Sequence, residues 1–320
     1  MDTTPPTRTK RRIPAHPGDP PALPSRPGIR LADQLAVSNL ARALDANRPV
    51  TVRRPNRRQG IGADLRALAG HVDLFWTLTA HRIRVRYKQS VLGVCWALLQ
   101  PVGLMLIFTL VFGRIARVPS EGVPYSLFVY SGLLLWSFFA TAVGSATHAL
   151  VSHGQLITKV YFPREILPLT YVAAALFDLC IGSAVLGGLL VYHGRPIGLA
   201  IVFAVPAVMT VVALVIAAAL MLSAVQVRFR DVGLAVPLLL YLWMFSTPIA
   251  YPVSGVPAAY RPWFLLNPMT GVVESFRRAV VHGTPPDLAV LAVPLITVAI
   301  LLPVAYATFK RVEKTMADVI

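Results

Sequence analysis

Apolar residues run along this chain in stretches far longer than a soluble core requires. No charged side chain occurs from residue 89 to 113, from Gly122 to Thr147, from Pro196 to Val227, from Val232 to Tyr260 or from Leu288 to Phe309. A further run, Ile166 to Tyr192, is interrupted only by Asp178. A helix needs about 20 apolar residues to cross roughly 30 Å of hydrocarbon, and every run supplies them. The pattern predicts an all-α polytopic membrane protein with six transmembrane helices, at about 91–113, 124–146, 168–192, 199–224, 233–252 and 287–309.

The flanking segments read differently. Residues 1–60 are rich in proline and arginine and poor in bulky apolar side chains, a composition that predicts a disordered cytoplasmic tail. From residue 64 to 88 the side chains of Leu65, Leu68, Val72, Phe75, Trp76, Ile83 and Tyr87 recur every three or four positions. Arg66, Asp73, Arg82 and Arg84 fall largely off that stripe, so an amphipathic helix lying in the headgroup plane is expected. Between the fifth and sixth spans, residues 262–273 form an apolar piece about 18 Å long as a helix, too short to cross. Asn267 followed by Pro268 has the form of a helix N-cap with proline in the first turn. Two short re-entrant helices dipping into the outer leaflet follow from this. Glu274 lies three and four residues before Arg277 and Arg278, spacing that predicts an ion pair at the membrane surface worth little to stability.

Charge then sets orientation. The formal net charge is +16, but 17 of the 30 basic residues precede the first span and most others flank spans, a distribution that points to lipid headgroups rather than nucleic acid. With both termini in the cytoplasm, Arg82, Arg84, Arg86, Lys88, Lys159, Arg164, Arg228, Arg230, Lys310, Arg311 and Lys314 share that side. Only Arg114, Arg117, Arg195, Arg261, Arg277 and Arg278 lie opposite, which satisfies the positive-inside rule. No apolar signal-peptide core occurs in the first 60 residues. Cys95 and Cys180 fall inside spans with no CxxC spacing and read as small buried hydrophobes.

Candidate chemistry is sparse. The sequence has no GxxxxGK[ST] loop, no HExxH and no acidic metal cluster, so no catalytic or metal site is expected. Asp178 is the one ionisable residue near mid-membrane, and reads either as a hydrogen-bonded structural group or as part of a polar pathway. Phe108 with Phe112, and Tyr241 with Phe245, are i,i+4 pairs that put two rings on one helix face. Such faces suit either lipid and helix–helix packing or a translocation channel for sugars, whose C–H surfaces pack on aromatic rings. The segment HALVSHGQLITKVYFPREILPL mixes apolar and polar residues and is broken by Pro163 and Pro168, as a short cytosolic helix gripped by a soluble partner would be.

The segments RVRYKQSVLGVCWALLQP, LFVYSGLLLWSFF, KVYFPREILPL, VQVRFRDVG, NPMTGVVESFRRA and RVEKTMADVI stand in register over residues 65–320. Together they resemble the permease subunit of ABC-type polysaccharide exporters, the class that exports O-antigen, capsule and teichoic acid. The resemblance implies a type 2 ABC transmembrane domain over 61–320, in a homodimer with two copies of a separate ATPase that carries ATP and magnesium, with no cofactor on this chain. It also implies an ATPase-coupling element at Leu156, Ile157, Lys159, Tyr161 and Phe162, and an outer gate at Trp263, Asn267, Glu274, Arg277 and Arg278. The expected function is export of a polyprenyl-linked polysaccharide across the bacterial inner membrane by a transport permease that is not itself an enzyme. Export of a small molecule or drug is the alternative within the class. A secondary transporter is a weaker alternative, since one carboxylate and no internal repeat offer little for ion coupling.

Overall fold

In the computed structural model, residues 61–88, 93, 95–195 and 198–316 are described, and among them the regular structure is entirely helical. The expectation of disorder for residues 1–60 lies outside the described residues. Two helices come first, α1 (Ile61–Ala69) and α2 (Val72–Lys88). Next, α3 (Cys95–Phe108) continues as a π-helical segment to Ile115, and α4 spans Tyr125–Thr147. The six-residue α5 (Gly154–Lys159) precedes the long helices α6 (Ile166–Tyr192) and α7 (Ala204–Arg228). Finally come α8 (Val232–Phe245), the short α9 (Arg261–Leu266) and α10 (Pro268–Arg277), and α11 (Leu288–Glu313).

Five helices are long and apolar enough to cross a membrane: Cys95–Ile115, Tyr125–Thr147, Ile166–Tyr192, Ile201–Arg228 and Leu288–Glu313. The sequence pattern of the fifth expected span, 233–252, instead gives a helix of 14 residues, about 21 Å long. The cause is local. Pro248 has no N–H to continue the ladder, the Thr247 N–H turns to the Met244 carbonyl three residues back at 3.2 Å, and Asn267 Nδ2 takes the Ser246 carbonyl at 3.2 Å. Tyr251 then donates to the carbonyl of Phe245 at 2.7 Å, closing the end of α8.

Helix α4 is the axis of the fold, with 78% of its most apolar window buried against 17–39% for the other four. It carries Leu127, Phe128, Tyr130, Leu133, Phe138 and Phe139 into one core shared with α6, α7 and α10. Gly271 lets α10 approach α11 closely, since a Cβ there would meet the Val290 carbonyl at 2.5 Å. A second core lies at the opposite end of α4, where Leu150, Ile157, Phe162, Ile166, Leu220 and Phe309 pack together. Leu68, Phe75 and Leu78 of the first two helices close over it.

Two expectations need correction here. The face that α2 turns to the protein is not purely apolar: Arg82 lies 3.4 Å over the Tyr171 ring and donates to Thr170 at 2.7 Å, while Val72 and Trp76 point outward. Stacking of a planar cation on an aromatic ring lets a guanidinium occupy a helix contact. Cys95 and Cys180, read as buried, lie on outward helix faces. Where hydrocarbon is the solvent, an apolar side chain gains nothing from facing protein rather than lipid.

Candidate functional site

Three groups of side chains stand out along the axis of α4. At one end, α10 packs against α4, and α9 against α10 and α11. Asn267 caps α10 as its sequence predicts, its Oδ1 accepting from the Met269 N–H at 3.0 Å. The same amide also bridges to α8. Oδ1 accepts from the Trp243 indole at 2.9 Å, and Nδ2 donates to Thr247 Oγ1 at 3.0 Å and the Ser246 carbonyl at 3.2 Å. Trp243 in turn packs edge-on against Phe139 and Trp136 of α4. Trp263 stands on the outer side of α9, exposed.

Glu274 pairs with Arg277 at 3.3 Å and with Arg278 at 3.6 Å, so the predicted spacing holds. The expectation of a surface pair does not hold. Arg277 has 0% exposure and is the largest fully buried side chain in the core. Its guanidinium lies 3.7 Å over the Phe128 ring, and Nη2 donates to the carbonyls of Pro248 and Ile249 at 3.3 and 3.4 Å. Those carbonyls belong to the irregular stretch after α8 and have no helical partner, so a buried donor satisfies them. Gly132 leaves the space: a Cβ there would lie 3.2 Å from Nη2. Burial pulls the Arg277 pKa down to about 10, with Glu274 opposing, so the group stays cationic at neutral pH.

Near the middle of α6, Asp178 is held by α2. Arg86 pairs with its Oδ2 at 2.5 Å and the Tyr87 hydroxyl donates to its Oδ1 at 2.5 Å. These residues border a cleft of about 270 Å³ that Trp96, Gln100, Ser137 and Thr141 also line. Of the two readings open for Asp178, the structural one gains partners here, and those partners face a cleft whose lining is mainly apolar.

At the far end, the expected coupling residues divide into two sets. Ile157 and Phe162 are buried in the second core, and Leu156 is half-buried against it. These anchor α5. Lys159, Val160 and Tyr161 turn outward, Tyr161 with 78% exposure, so the accessible surface includes Val160, which residue type alone did not single out. The aromatic pairs divide similarly. Phe108 (9% exposed) and Phe112 meet edge to face at 5.4 Å inside the helix packing, whereas Tyr241 and Phe245 are 66% and 62% exposed on the open face of α8.

Residues 73–281 match the ABC-2 type transporter family. The chain belongs to that family. Among its curated relatives, an O-antigen export system permease protein RfbA of Myxococcus xanthus is 30% identical over 257 residues, 79% of this chain and 98% of the relative. A protein of the same name from Klebsiella pneumoniae is 28% identical over 250 residues, covering 78% and 95%. The polysialic acid transport protein KpsM of Escherichia coli is 28% identical over 212 residues, covering 64% and 80%. The ABC-2 match runs from α2 through the π-helical segment that follows α10, and so includes the α5 region, the Asp178 cleft and the Arg277 cluster.

Proposed function

We propose that this chain is the membrane subunit of an ATP-driven exporter that moves a lipid-linked polysaccharide across the bacterial inner membrane. The observation that carries the reading is the likeness to O-antigen permeases over 95–98% of their length. In this reading two copies of the chain form the pathway and two copies of a separate ATPase, with their ATP and magnesium, supply the energy. The α5 end is cytoplasmic and seats the ATPase through Lys159, Val160 and Tyr161. Helix α8 with the stretch after it makes the sixth crossing, and α9 and α10 are re-entrant helices at the outer exit. Helix α2 starts at the inner headgroup boundary with Trp76 outward and runs along α6, its last turn reaching Asp178. Residues 1–60 form a cytoplasmic appendage.

Tyr241 and Phe245 face the channel, while Phe108 and Phe112 are enclosed in the main core. A glycan that must keep moving needs weak, repeated contacts, and exposed rings one turn apart provide them without a fixed hydrogen-bond trap.

Inactivating the gene for this chain in its host should remove long glycan from the cell surface and leave lipid-linked glycan inside. Complementation with the Tyr241→Ala/Phe245→Ala variant should restore short glycans and slow the export of long ones several-fold, at normal membrane levels. Unchanged surface glycan in the null strain contradicts the proposed function. Full-rate export by the double variant contradicts only the channel assignment.

A further inference from the structure

The α5 end of the bundle carries an ion cluster that neither the channel nor the docking surface uses. Lys310, in the last turns of α11, contacts three carboxylates from three parts of the chain. Glu165 Oε1, immediately before α6, is its nearest partner; Glu313 Oε2 of α11 lies at 3.0 Å and Asp64 Oδ2 of α1 at 3.6 Å. Tyr306, one turn earlier on α11, donates to Asp64 at 2.6 Å. Arg164 donates across to the Glu313 carbonyl at 2.5 Å. Glu165 is buried, its Oε2 has no partner, and burial followed by the Glu313 charge raises its pKa while Lys310 opposes the rise.

Stability does not account for this cluster. Ion pairs taken out of water give back much of their attraction as desolvation, and apolar side chains of similar size hold helices together as well or better. The second core already supplies such packing around Ile157, Phe162 and Phe309. Apolar contacts let helices slide past each other, whereas hydrogen-bonded charges fix direction and register. The cluster sits three residues past Phe162, where the chain leaving α5 enters α6. Along that path a displacement of α5 reaches α6 through Glu165, α11 through Lys310 and α1 through Asp64. From α1 it continues into α2, whose Arg86 holds Asp178 in the middle of α6.

We infer that Lys310 is a positioning residue for energy coupling: with Glu165, Asp64 and Glu313 it locks α1, the start of α6 and the end of α11 into one unit that carries ATPase movement to the spans. This inference rests on the reading of α5 as the ATPase seat. Loss of the lock should leave ATPase docking and hydrolysis in place and uncouple them from transport.

The test uses the full transporter, co-expressed with its ATPase and reconstituted in proteoliposomes. The variant is Glu165→Gln/Lys310→Met, which removes the central pair and neutralises the buried carboxylate; Asp64 and Glu313 lose their cation but keep partial solvent access, and Asp64 keeps the Tyr306 hydroxyl. ATPase co-purification and hydrolysis should stay within twofold of wild type, while glycan moved per ATP falls at least tenfold. Lys310→Arg, which keeps the cation, should recover most of the coupling. Asp64→Asn, at a half-buried site, should give a smaller fall in the same direction, and decides the matter if the double variant does not accumulate. Wild-type transport per ATP in the double variant, or in Asp64→Asn where that variant must decide, overturns the inference. So does loss of ATPase binding in the double variant, which would place the cluster in docking. If Val160→Asp/Tyr161→Asp leaves ATPase binding intact, the α5 reading fails by itself, whatever the Lys310 variants do.

Discussion

Arg277→Ala is expected to stop the protein from accumulating in the membrane. The substitution empties a site with no solvent access, leaves the Glu274 carboxylate short of its buried partner, and removes the donor to the Pro248 and Ile249 carbonyls. Removing one member of a buried pair costs about 3–5 kcal/mol, a large part of the 5–15 kcal/mol that typically separates folded from unfolded domains. Arg277→Lys should fail nearly as badly, because a single ammonium cannot lie flat on Phe128 while reaching both Glu274 and two carbonyls. Arg278→Ala is the control: that side chain is 43% exposed, and its pair with Glu274 is worth at most about 1 kcal/mol. Membrane levels and detergent size-exclusion profiles of the three variants check this. Wild-type accumulation of Arg277→Ala would contradict the assignment of a buried clamp between α4, α10 and the end of α8.

The second large effect is expected at the other end of the bundle. Val160→Asp/Tyr161→Asp puts two carboxylates on the outward side of the α5 region while leaving the Ile157 and Phe162 anchors untouched. If this surface seats an ATPase through apolar contact, unpaired charge buried at the interface costs several kcal/mol, and each 1.4 kcal/mol is tenfold in affinity. Co-purification of the ATPase should fall by more than tenfold and export should stop, with the subunit still at normal levels. Leu156→Asp is a poorer probe, since Leu156 is half-buried against the second core and its loss would disturb the fold as well. Retained binding and export in the double variant would remove α5 from the docking surface.

The sequence made the spans legible because hydrocarbon thickness imposes a length on uncharged runs, and five of the six runs became long helices. The sixth shows the limit of that rule. Residues 232–260 are uncharged, yet α8 ends at Phe245, where Pro248 supplies no donor, the Thr247 N–H tightens onto Met244 and Asn267 takes the Ser246 carbonyl, none of which hydropathy registers. Asn267 as a cap and Glu274 near Arg277 were readable because both depend on neighbours within four residues. The burial of Arg277 was not, since its environment is made by Phe128 and by carbonyls 28 and 29 residues away. Likewise Arg86 and Asp178 lie 92 residues apart, and nothing in either segment announces the other.

Helical spacing told that Phe108 and Phe112 share a face, as do Tyr241 and Phe245, but not which face is open. In a membrane the protein-facing and lipid-facing sides are both apolar, so periodicity loses the contrast that orients a helix in a soluble protein. Only packing distinguishes the enclosed pair on α3 from the open pair on α8.

The central claim is that this chain is the passive pathway of a polysaccharide exporter driven by a separate ATPase. Its most direct test is reconstitution of the purified chain, alone and with that ATPase, in proteoliposomes carrying polyprenyl-linked glycan. The chain alone should hydrolyse no ATP and move no glycan; with the ATPase, glycan should cross only when ATP and magnesium are supplied. Glycan transfer by the chain alone under an ion gradient, or ATP hydrolysis by the pure chain, would contradict the account.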